Sequence, residues 1–472
     1  MRQAGSGATV RPFSWVLPFV SLVLTGTCSA QSHQERSAPA NQGQTPALHR
    51  SVEIFPPVKE HVHGSTIVEL PNGDLLAAWF QGSGERWADD VAIMGARCKA
   101  GAAGWSKPFL LADTPGFPDI NPILFLDSRD RLWLMWYTVI ANQWETSLLK
   151  YRISEDYATQ AGVPQWTWQD VLHVKPGDSA ERGIQPTDRF VRSVERQIEE
   201  YAAYIGKDLY ASQPAKAIAA TGLWKAWGVQ LLSKARGEDM MRKGRLQEPG
   251  NQSKEMDLGY PYFQRMGWQT KNKAVLIDGK RIIVPLYSDG FSFSLMAITD
   301  DGGQTWQFSE PLVGAGNIQP SIAQRADGTL VAYMRDNGPA PKRLHISSSQ
   351  DKGMTWSTVR DSALPNPGSG ADVVTLRNGH WVLAYNDAEE GRRSLAVSLS
   401  EDEGKTWPYT QHLESGVVEG PSPSAAYPSI IQAADNSLHV VYSYHRSDPA
   451  QGEQKTIKHA QFTESWLRGE QK

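Results

Sequence analysis

The sequence predicts an all-β protein, a six-bladed β-propeller with a helical insertion between its second and third blades. The first observation is an eight-residue turn that occurs three times, as TDDGGQTW at 299–306, SQDKGMTW at 349–356 and SEDEGKTW at 400–407. The second is the spacing of these turns, which begin about 50 residues apart, a period typical of the blades of a propeller.

A second, weaker repeat extends the pattern over most of the chain. Each unit has a tight turn of Gly, Asp or Asn and then a β-branched or aromatic run, which is typical of antiparallel hairpins. The six runs are PNGDLLAAW (71–79), SRDRLWLMW (128–136), DGKRIIVPL (278–286), DGTLVAYM (327–334), NGHWVLAY (378–385) and NSLHVVY (436–442). Six four-stranded units of this length predict six blades.

The recurrent turn is predicted to be structural. In the pattern S/T-x-D-x-G-x-T-W, the Asp side chain accepts backbone amides, the Gly supplies a positive φ and the Trp packs between neighbouring sheets. Such turns lie at the outer rim of a propeller, away from its axis. We therefore expect no catalytic role for them.

One region, from about residue 178 to residue 266, interrupts the repeat. Its apolar side chains recur at the spacing of an amphipathic helix, at Phe190, Val191, Val194, Ile198, Tyr201 and Ile205. A second apolar run extends from Ala215 to about Arg242. The insertion is expected to be helical, and both a buttress against the propeller and a lid or partner surface over its active face fit the pattern.

The N-terminus is predicted to be a signal peptide. Arg2 and Arg11 precede an apolar run at 13–24, and small residues follow up to Ala30. This order of charged, apolar and small residues is typical of secretory signals, so cleavage is expected after Ala30. The protein is thus predicted to be exported, to the periplasm or the extracellular space.

The residues around and after the cleavage site complete the domain prediction. Thr27 before Cys28 does not fit a lipobox, so a lipoprotein anchor is not expected. Residues 31–50 are rich in Gln, Ser, Ala and Pro and are predicted to be a disordered linker. Residues 51–472 are predicted to form the propeller with its insertion.

The composition excludes several classes of partner. The 472 residues carry a net charge of −4 and no basic run, so nucleic acid is not expected as a partner. After the signal, no apolar run reaches the roughly 18 residues of a membrane span. The pair His61-x-His63 is better explained as hydrogen-bonding residues than as metal ligands, so neither a metal nor another cofactor is predicted. The sequence does not indicate an oligomeric state.

The candidate site follows from the alignment of the six units. The position nine residues before each turn anchor is expected to begin the innermost strand, and it is polar or small in most units: Gly64, Asn121, Thr270, Gln319, Gly370 and Tyr427. A packed core would favour Val or Ile there, whereas the floor of a funnel requires polar groups. His61, His63 and Asp372 lie beside these positions in the sequence.

These features resemble the sialidase (neuraminidase) superfamily, in particular its bacterial branch with Asp-box (BNR) repeats. The resemblance rests on the three turns, the six units, and the phrases at 317–338 and 427–444, and it covers roughly residues 60 to 466 except the insertion. It implies an exo-acting glycosidase, with an acidic glycan as its substrate. Asp boxes also occur in noncatalytic propellers, so the residues on the axis carry more weight.

The resemblance assigns roles to several residues. Sialidases bind a sugar carboxylate with three arginines, attack with a tyrosine that a glutamate activates, and protonate the leaving group with an aspartate. Arg335 and Arg393 match two of the arginines, and Tyr427 matches the nucleophile. The acid corresponds to Asp89 or Asp90. His61, Asn121 and Asp372 are further candidates for substrate binding.

Two departures from the family pattern bear on the mechanism. His63 stands where the first arginine is expected, and Gln319 stands where the activating glutamate is expected. A glutamine amide cannot take a proton from a phenol, so Tyr427 needs another base or a strong electrostatic field. Three functions remain open: an exo-glycosidase with Tyr427 as nucleophile, a uronate lyase with His63 or Tyr427 as base or acid, and a noncatalytic glycan-binding propeller.

Overall fold

The computed structural model describes residues 47–158, 162–178, 184–236, 266–416, 423–448, 450 and 452–470. These residues form six antiparallel sheets, arranged as the blades of a propeller. The predicted fold class is confirmed. The predicted signal peptide and most of the predicted linker lie outside the described residues.

The strands follow the chain blade by blade. Blade 1 contains β2 (His61–Glu69), β3 (Leu75–Gly82), β4 (Ala92–Cys98) and β5 (Phe109–Ala112). Blade 2 contains β6 (Asp119–Leu126), β7 (Leu132–Val139), β8 (Ser147–Ser154) and β9 (Trp168–Val171). Blade 3 contains β10 (Gln269–Thr270), β11 (Val275–Ile277), β12 (Arg281–Ser288), β13 (Phe293–Thr299) and β14 (Gln307–Phe308). In blade 3 the inner strand is split, because β10 and β11 both pair with β12.

The other three blades have four strands each. Blade 4 contains β15 (Asn317–Gln324), β16 (Leu330–Asp336), β17 (Arg343–Ser349) and β18 (Arg360–Pro365). Blade 5 contains β19 (Asp372–Thr375), β20 (Trp381–Tyr385), β21 (Ser394–Ser400) and β22 (Tyr409–Ser415). Blade 6 contains β23 (Ser424–Gln432), β24 (Leu438–Asp448), β25 (Gly452–Phe462) and the N-terminal strand β1 (His49–Glu53). Strand β1 pairs with β25, with His49 opposite Phe462. The N-terminal strand thereby closes the ring, and His49 and Arg50, which were predicted to belong to the linker, are part of this sheet.

The helical insertion packs against blade 3 and the segments that follow its strands. It contains α1 (Arg189–Tyr204), a π-helical turn (Ile205–Leu209) and α2 (Pro214–Arg236). The buried Gln197 side chain donates to Pro311 O (2.6 Å) and accepts from Val313 N (2.8 Å), which ties α1 to blade 3. These contacts favour the buttress interpretation. Among the described residues, no helix is long and apolar enough to cross a membrane.

The recurrent turns join neighbouring blades. In the turn of blade 4, Asp351 accepts the backbone amides of Met354 (3.1 Å) and Thr355 (2.9 Å), and Gly353 has a φ of 90°. A Cβ atom at Gly353 would lie 2.9 Å from Ile283 Cδ1 of blade 3, and the positive φ at this position favours glycine. The turn is a structural clamp, as its sequence predicts.

Asp351→Ala is expected to lower the free energy of unfolding by about 1–2 kcal/mol, because it removes the acceptor of several turn hydrogen bonds. Asp208→Ala is a suitable control, since Asp208 makes an exposed ion pair with Arg360 (3.3 Å) and should cost about 0.5 kcal/mol or less. Denaturant unfolding measures both. A folded Asp351→Ala protein that binds the substrate normally and has lost turnover would show that the turn affects the chemistry.

Candidate active site

The inner strands of four blades carry a β-bulge near the propeller axis. The bulge residues Gly64, Asn121, Gln319 and Tyr427 have φ values of 64°, 45°, 55° and 56°, and the strand register shifts beside each of them. A left-handed backbone costs a non-glycine residue about 1 kcal/mol or more, and such strain gathers at functional sites. The bulges therefore mark the floor of a candidate site.

These four residues are among the six positions that the repeat alignment selected. The sequence predicted that the inner strands begin at these residues. In the structure they begin two or three residues earlier, because each inner strand extends beyond its bulge. Thr270 ends the short strand β10, and Gly370 lies just before β19. Thr270 Oγ1 donates to Asn121 O (2.9 Å), and all six positions are buried. The structure thus brings the predicted floor together.

The hydroxyl of Tyr427 lies at the centre of this floor. It accepts hydrogen bonds from Arg335 Nη1 (2.9 Å) and Gln319 Nε2 (3.0 Å). Both donors stabilise negative charge on the phenol oxygen, and the guanidinium does so more strongly because it is charged. Among the described residues, no carboxylate oxygen is hydrogen-bonded to Tyr427. This agrees with the sequence, which has a glutamine at position 319 in place of the glutamate.

A buried chain of hydroxyl and amide groups continues from Gln319. Gln319 Nε2 also lies 3.4 Å from the Tyr287 hydroxyl, and Asn121 Nδ2 donates to the hydroxyls of Tyr137 (3.1 Å) and Tyr287 (3.4 Å). Burial raises the pKa values of Tyr137 and Tyr287, so both stay neutral at physiological pH. They hold the amides of Gln319 and Asn121 in place beneath the tyrosine.

Two further cations lie against the ring of Tyr427. Arg392 Cζ is 5.4 Å and Lys271 Nζ is 5.2 Å from the ring centroid. Lys271 is almost completely buried, and its ammonium donates to Asn272 Oδ1 and Pro428 O, each at 3.2 Å. Burial lowers the pKa of Lys271 to about 8, although Asp372 acts in the opposite direction. Three basic side chains therefore surround one tyrosine.

Three histidines form the wall on the side of blades 1 and 6. The His63 ring lies 4.2 Å from the Tyr427 ring, 5.9 Å from His61 and 5.6 Å from His445. Burial lowers the pKa of His63 well below its usual range, and the charges of His445 and Arg392 lower it further. His63 is therefore neutral, and it cannot replace the charge of the arginine that the family pattern has there.

Two carboxyl groups interact electrostatically with the arginines of the site. Asp289 follows β12, and burial raises its pKa to about 6 against the opposing charge of Arg335. Glu85, in the loop between β3 and β4, has its Oε1 atom 3.5 Å from His61 Nε2, and its charge acts on Arg392. A carboxyl group with the pKa of Asp289 is partly protonated near neutral pH, as a general acid must be.

The two predicted acids, Asp89 and Asp90, lie in the same loop as Glu85 but are exposed. The Asp90 carboxylate accepts hydrogen bonds from Ser83 N (3.1 Å) and Ser83 Oγ (2.8 Å), and these bonds lower its pKa. Asp90 therefore braces the base of the loop and remains ionised. Its geometry does not suit an acid, and Glu85 is the carboxylate that the loop directs to His61.

Of the two predicted arginines, Arg335 lies in the site, whereas the place of Arg393 is taken by its neighbour Arg392. Arg335 contacts Tyr427 as described above, whereas Arg393 is exposed. Its neighbour Arg392 is half-buried, lies over the Tyr427 ring and donates to Gly368 O (2.9 Å). Successive residues near a strand face opposite sides, so an alignment shift of one residue exchanges the buried arginine for the exposed one.

Asp372 and Asn121 are buried parts of the floor. Asp372 pairs with Lys273, accepts from Ser321 Oγ (2.6 Å) and Ile430 N (2.9 Å), and so connects blade 5 to blades 3, 4 and 6. Its carboxylate is fully used by the protein, so a structural role replaces the predicted substrate contact. Asn121 Oδ1 is buried without a hydrogen-bond partner among the described residues, which leaves it free to accept a bond.

Several residues of the site were not predicted from the sequence. They are Glu85, Lys271, Tyr137, Tyr287, Asp289 and Arg392. Lys271 had a usable signal, because it directly follows Thr270 in the polar run QTKNK at 269–273, where a buried strand should be apolar. The two tyrosines had no such signal, since an aromatic residue in a strand is ordinary.

One side-chain group in the described part of the chain has the arrangement of a metal site, formed by His380, Glu401 and Glu464. Arg468 pairs with both glutamates, at 2.7 Å and 2.6 Å, and His380 lies 2.5 Å from Glu464. The cluster belongs to blade 5 and the C-terminal helix α3 (Glu464–Leu467). Arg468 already pairs with both carboxylates, so we assign the cluster a structural role.

The comparisons with known proteins agree with this fold. The sequence matches the family described as BNR repeat-like domain over residues 73–180 and 233–440, which is more than half of the chain. The chain belongs to this BNR repeat-like family. An anhydrosialidase from Macrobdella decora is 24% identical to this BNR repeat-like protein over 187 residues, which span 35% of this chain and 24% of the relative. The match thus covers about a quarter of that relative's length.

Solved structures share the propeller fold of this BNR repeat-like protein. A leech intramolecular trans-sialidase, in complex with 2,7-anhydro-Neu5Ac, aligns with a TM-score of 0.55 and 14% identity over 87% of this chain and 69% of that one. The NanB sialidase of Streptococcus pneumoniae aligns with a TM-score of 0.56 and 12% identity over 88% and 70%. A protein of unknown function from Dyadobacter fermentans gives 0.55 and 14% over 88% and 99%. The resemblance to the sialidase superfamily is confirmed at the level of fold and family.

Proposed function

We propose that this protein is a glycoside hydrolase that removes a terminal, carboxylate-bearing sugar from a glycan, with Tyr427 as nucleophile. The observation that carries the proposal is the convergence of Arg335 and Arg392 on the Tyr427 side chain. The predicted signal peptide places this activity outside the cytoplasm. The anhydrosialidase and sialidase relatives support an acidic sugar as the substrate class.

The two arginines bind the substrate carboxylate. Arg335 Nε is a buried donor without a hydrogen-bond partner among the described residues, and an unpaired buried N–H group is costly unless a ligand supplies the acceptor. Guanidinium groups match the planar geometry of a carboxylate. The bound carboxylate places the anomeric carbon of the sugar above the Tyr427 hydroxyl.

Lys271 and Arg335 supply the field that activates Tyr427. The ammonium of Lys271 is buried, and its direct partners are neutral oxygens, while the nearby Asp372 is paired with Lys273. A buried cation without a contacting anion is costly, and negative charge on the Tyr427 oxygen compensates it. These cations replace the glutamate of the family pattern. The Tyr427 hydroxyl loses its proton to water, and its oxygen forms a bond to the anomeric carbon as the glycosidic bond breaks and the leaving oxygen is protonated. Water then attacks the anomeric carbon of this tyrosyl glycoside, and the tyrosine oxygen leaves and takes up a proton.

Asp289 donates the proton to the leaving glycosidic oxygen. Its pKa of about 6 implies that the acidic form declines as the pH rises through 6, so turnover of an unactivated glycoside should fall above about pH 6. Asp289→Asn should lower this turnover by about a hundredfold and remove the pH-dependent decline. An aryl glycoside, whose leaving group needs no proton, should be affected far less. Asp90→Asn is the control, and an equal loss in both variants would refute this assignment.

The experiment that tests the proposed function is product analysis with the purified protein. Sialyl and uronyl glycosides are each incubated with the protein, and a free reducing sugar is the expected product. An unsaturated product that absorbs ultraviolet light would identify a lyase instead. Measurable binding without any turnover would identify a glycan-binding propeller.

A uronate lyase is the second candidate, favoured by the neutral His63 beside Tyr427. In this reaction the arginines neutralise the uronate carboxylate, His63 removes the proton from the carbon next to it, and Tyr427 protonates the leaving oxygen. The electron pair of the broken C–H bond forms the new double bond as the glycosidic bond breaks. The neutral state of His63 suits a base, and the glutamine at position 319 removes no function from this mechanism.

Gln319→Glu separates the two candidates. In a hydrolase, the new carboxylate lies beside the Tyr427 hydroxyl and acts as a base, so turnover of a sialyl substrate should rise by about a hundredfold. In a lyase or a binding protein, the added negative charge repels the substrate carboxylate and weakens affinity without a gain in turnover. Asn121→Asp is the matched control, because it adds the same charge to the floor without a bond to Tyr427. Equal effects of both variants would exclude a base at position 319.

A further inference from the structure

We propose that Trp87 forms the leaving-group subsite, a platform on which a neutral pyranose ring of the glycan stacks next to the cleaved bond. This inference rests on the proposed function, because it names the part of the substrate that follows the acidic sugar. It adds a binding site outside the floor around Tyr427.

The side chain of Trp87 is exposed. Its side chain is 59% exposed, although it lies in the loop that connects β3 and β4 and carries Glu85. A single exposed apolar side chain is ordinary on a protein surface. Trp87 differs because neighbouring side chains hold its ring.

The loop holds the indole in place from two sides. Arg86 Cζ lies 5.2 Å from the Trp87 ring and 5.1 Å from the Trp144 ring, so one guanidinium joins the two indoles. Trp144 in turn packs edge-on against Tyr137 of the floor, with ring centroids 6.2 Å apart. A side chain that is fixed before binding loses little conformational entropy when a ligand arrives.

The backbone of the loop is braced as well. Asp90 accepts from Ser83 at its base, and Ala88 N donates to Glu85 O (3.0 Å). A Cβ atom at position 84 would lie 2.8 Å from Trp87 Nε1, so Gly84 permits the close approach of the indole. The Asp90 carboxylate stabilises this loop through Ser83, so it makes no hydrogen bond to the floor.

The platform lies at the rim of the floor, because Trp144, which shares the Arg86 guanidinium with Trp87, packs against Tyr137. The charge of Arg86 acts on Asp289, the proposed acid, and so does the charge of Glu145, the residue after Trp144. On the other side of Trp87, Glu85 of the same loop reaches His61. A glycan whose acidic sugar lies over Tyr427 therefore leads outward between Asp289 and this loop.

The chemistry of the platform matches a sugar ring. The axial C–H groups of a neutral pyranose present a flat apolar face that packs on an indole, while its hydroxyl groups remain at the edge. Arg86 can donate hydrogen bonds to the sugar hydroxyl groups, and Glu145, the residue after Trp144, can accept them. An apolar partner would use the indole but gain nothing from these two charges, so a glycan is the occupant that fits both features.

The test compares Trp87→Ala with Trp168→Ala. Trp168 is a matched control because it is 54% exposed but lies on β9, the outermost strand of blade 2. The affinity for 3′-sialyllactose, for a glucuronyl disaccharide and for the corresponding free acidic monosaccharides is measured by calorimetry, together with KM and kcat for any substrate that is turned over. Trp87→Phe keeps a ring and should retain part of the affinity.

Trp87→Ala is expected to weaken binding of the bound disaccharide or trisaccharide by about tenfold, as for the loss of one aromatic stacking contact, with a smaller effect on the monosaccharides. It should raise KM more than it lowers kcat. Trp168→Ala should change neither. Turnover that is equally insensitive to both variants would overturn the subsite and leave the proposed function intact. Trp87-dependent glycan binding without turnover would refute the hydrolase while supporting the platform.

Discussion

Tyr427→Phe is expected to lower turnover by roughly a thousandfold or more, because the variant removes the oxygen that forms the covalent bond to the sugar. The phenyl ring keeps its contacts with His63, Arg392 and Lys271, so the floor should stay folded and the acidic sugar should still bind. Single-turnover kinetics and calorimetry on the same protein measure the two quantities separately.

Tyr287→Phe is the matched control for this prediction. Tyr287 is buried in the same hydrogen-bonded chain and accepts from Gln319 and Asn121, but its hydroxyl does not lie among the cations around Tyr427. The loss of one neutral hydrogen bond should change turnover by about tenfold at most. If Tyr427→Phe keeps wild-type turnover, the tyrosine is not the nucleophile. Equal losses in both variants would point to a structural effect on the floor.

Arg335→Ala is expected to weaken binding of an acidic sugar by about 2–4 kcal/mol, since it removes one charged partner of the carboxylate and leaves the other alone. The same variant removes a donor from the Tyr427 hydroxyl, so kcat should fall as well. A neutral analogue of the sugar, with an alcohol or an amide in place of the carboxylate, should bind nearly as well as to the wild type.

Arg393→Ala provides the control, because Arg393 is exposed and adjacent to Arg392 in the sequence. It should change the affinity for either ligand by less than about 0.5 kcal/mol, as is usual for surface substitutions. Arg392→Ala should reproduce the effect of Arg335→Ala. Equal losses for the acidic and the neutral ligand in Arg335→Ala would exclude a carboxylate as the group that this arginine binds.

Much of the architecture was predictable from the sequence because it depends on local repeats. The turn pattern, the alternating hairpins and their spacing each recur in the sequence, and their agreement predicts six blades. The position of the floor followed from the same alignment, and four of its six residues lie at bulges with left-handed φ values. The helical insertion was equally readable, since its apolar side chains follow the period of a helix.

The roles of individual charged residues were less predictable. Whether Arg392 or Arg393 faces the axis depends on a one-residue choice near the start of β21, and both are arginines. Asp90 fitted the position of an acid in the family pattern, but the loop bends so that its carboxylate bonds to Ser83. Burial raises the pKa of Asp289 and the charge of Arg335 opposes this rise, although the two residues are far apart in the sequence.

The sequence alone determined the blades, the clamping turns and the positions on the axis, because these features arise from periodic contacts between residues close along the chain. Only the tertiary structure decided the electrostatics of the site. Lys271, Arg335, Arg392 and Tyr427 come from four different blades, and their charges act on one another because the ring of blades brings them within a few ångströms and excludes water. Coulomb interactions depend on the distance between charges and on their burial. Neither quantity can be read directly from the sequence.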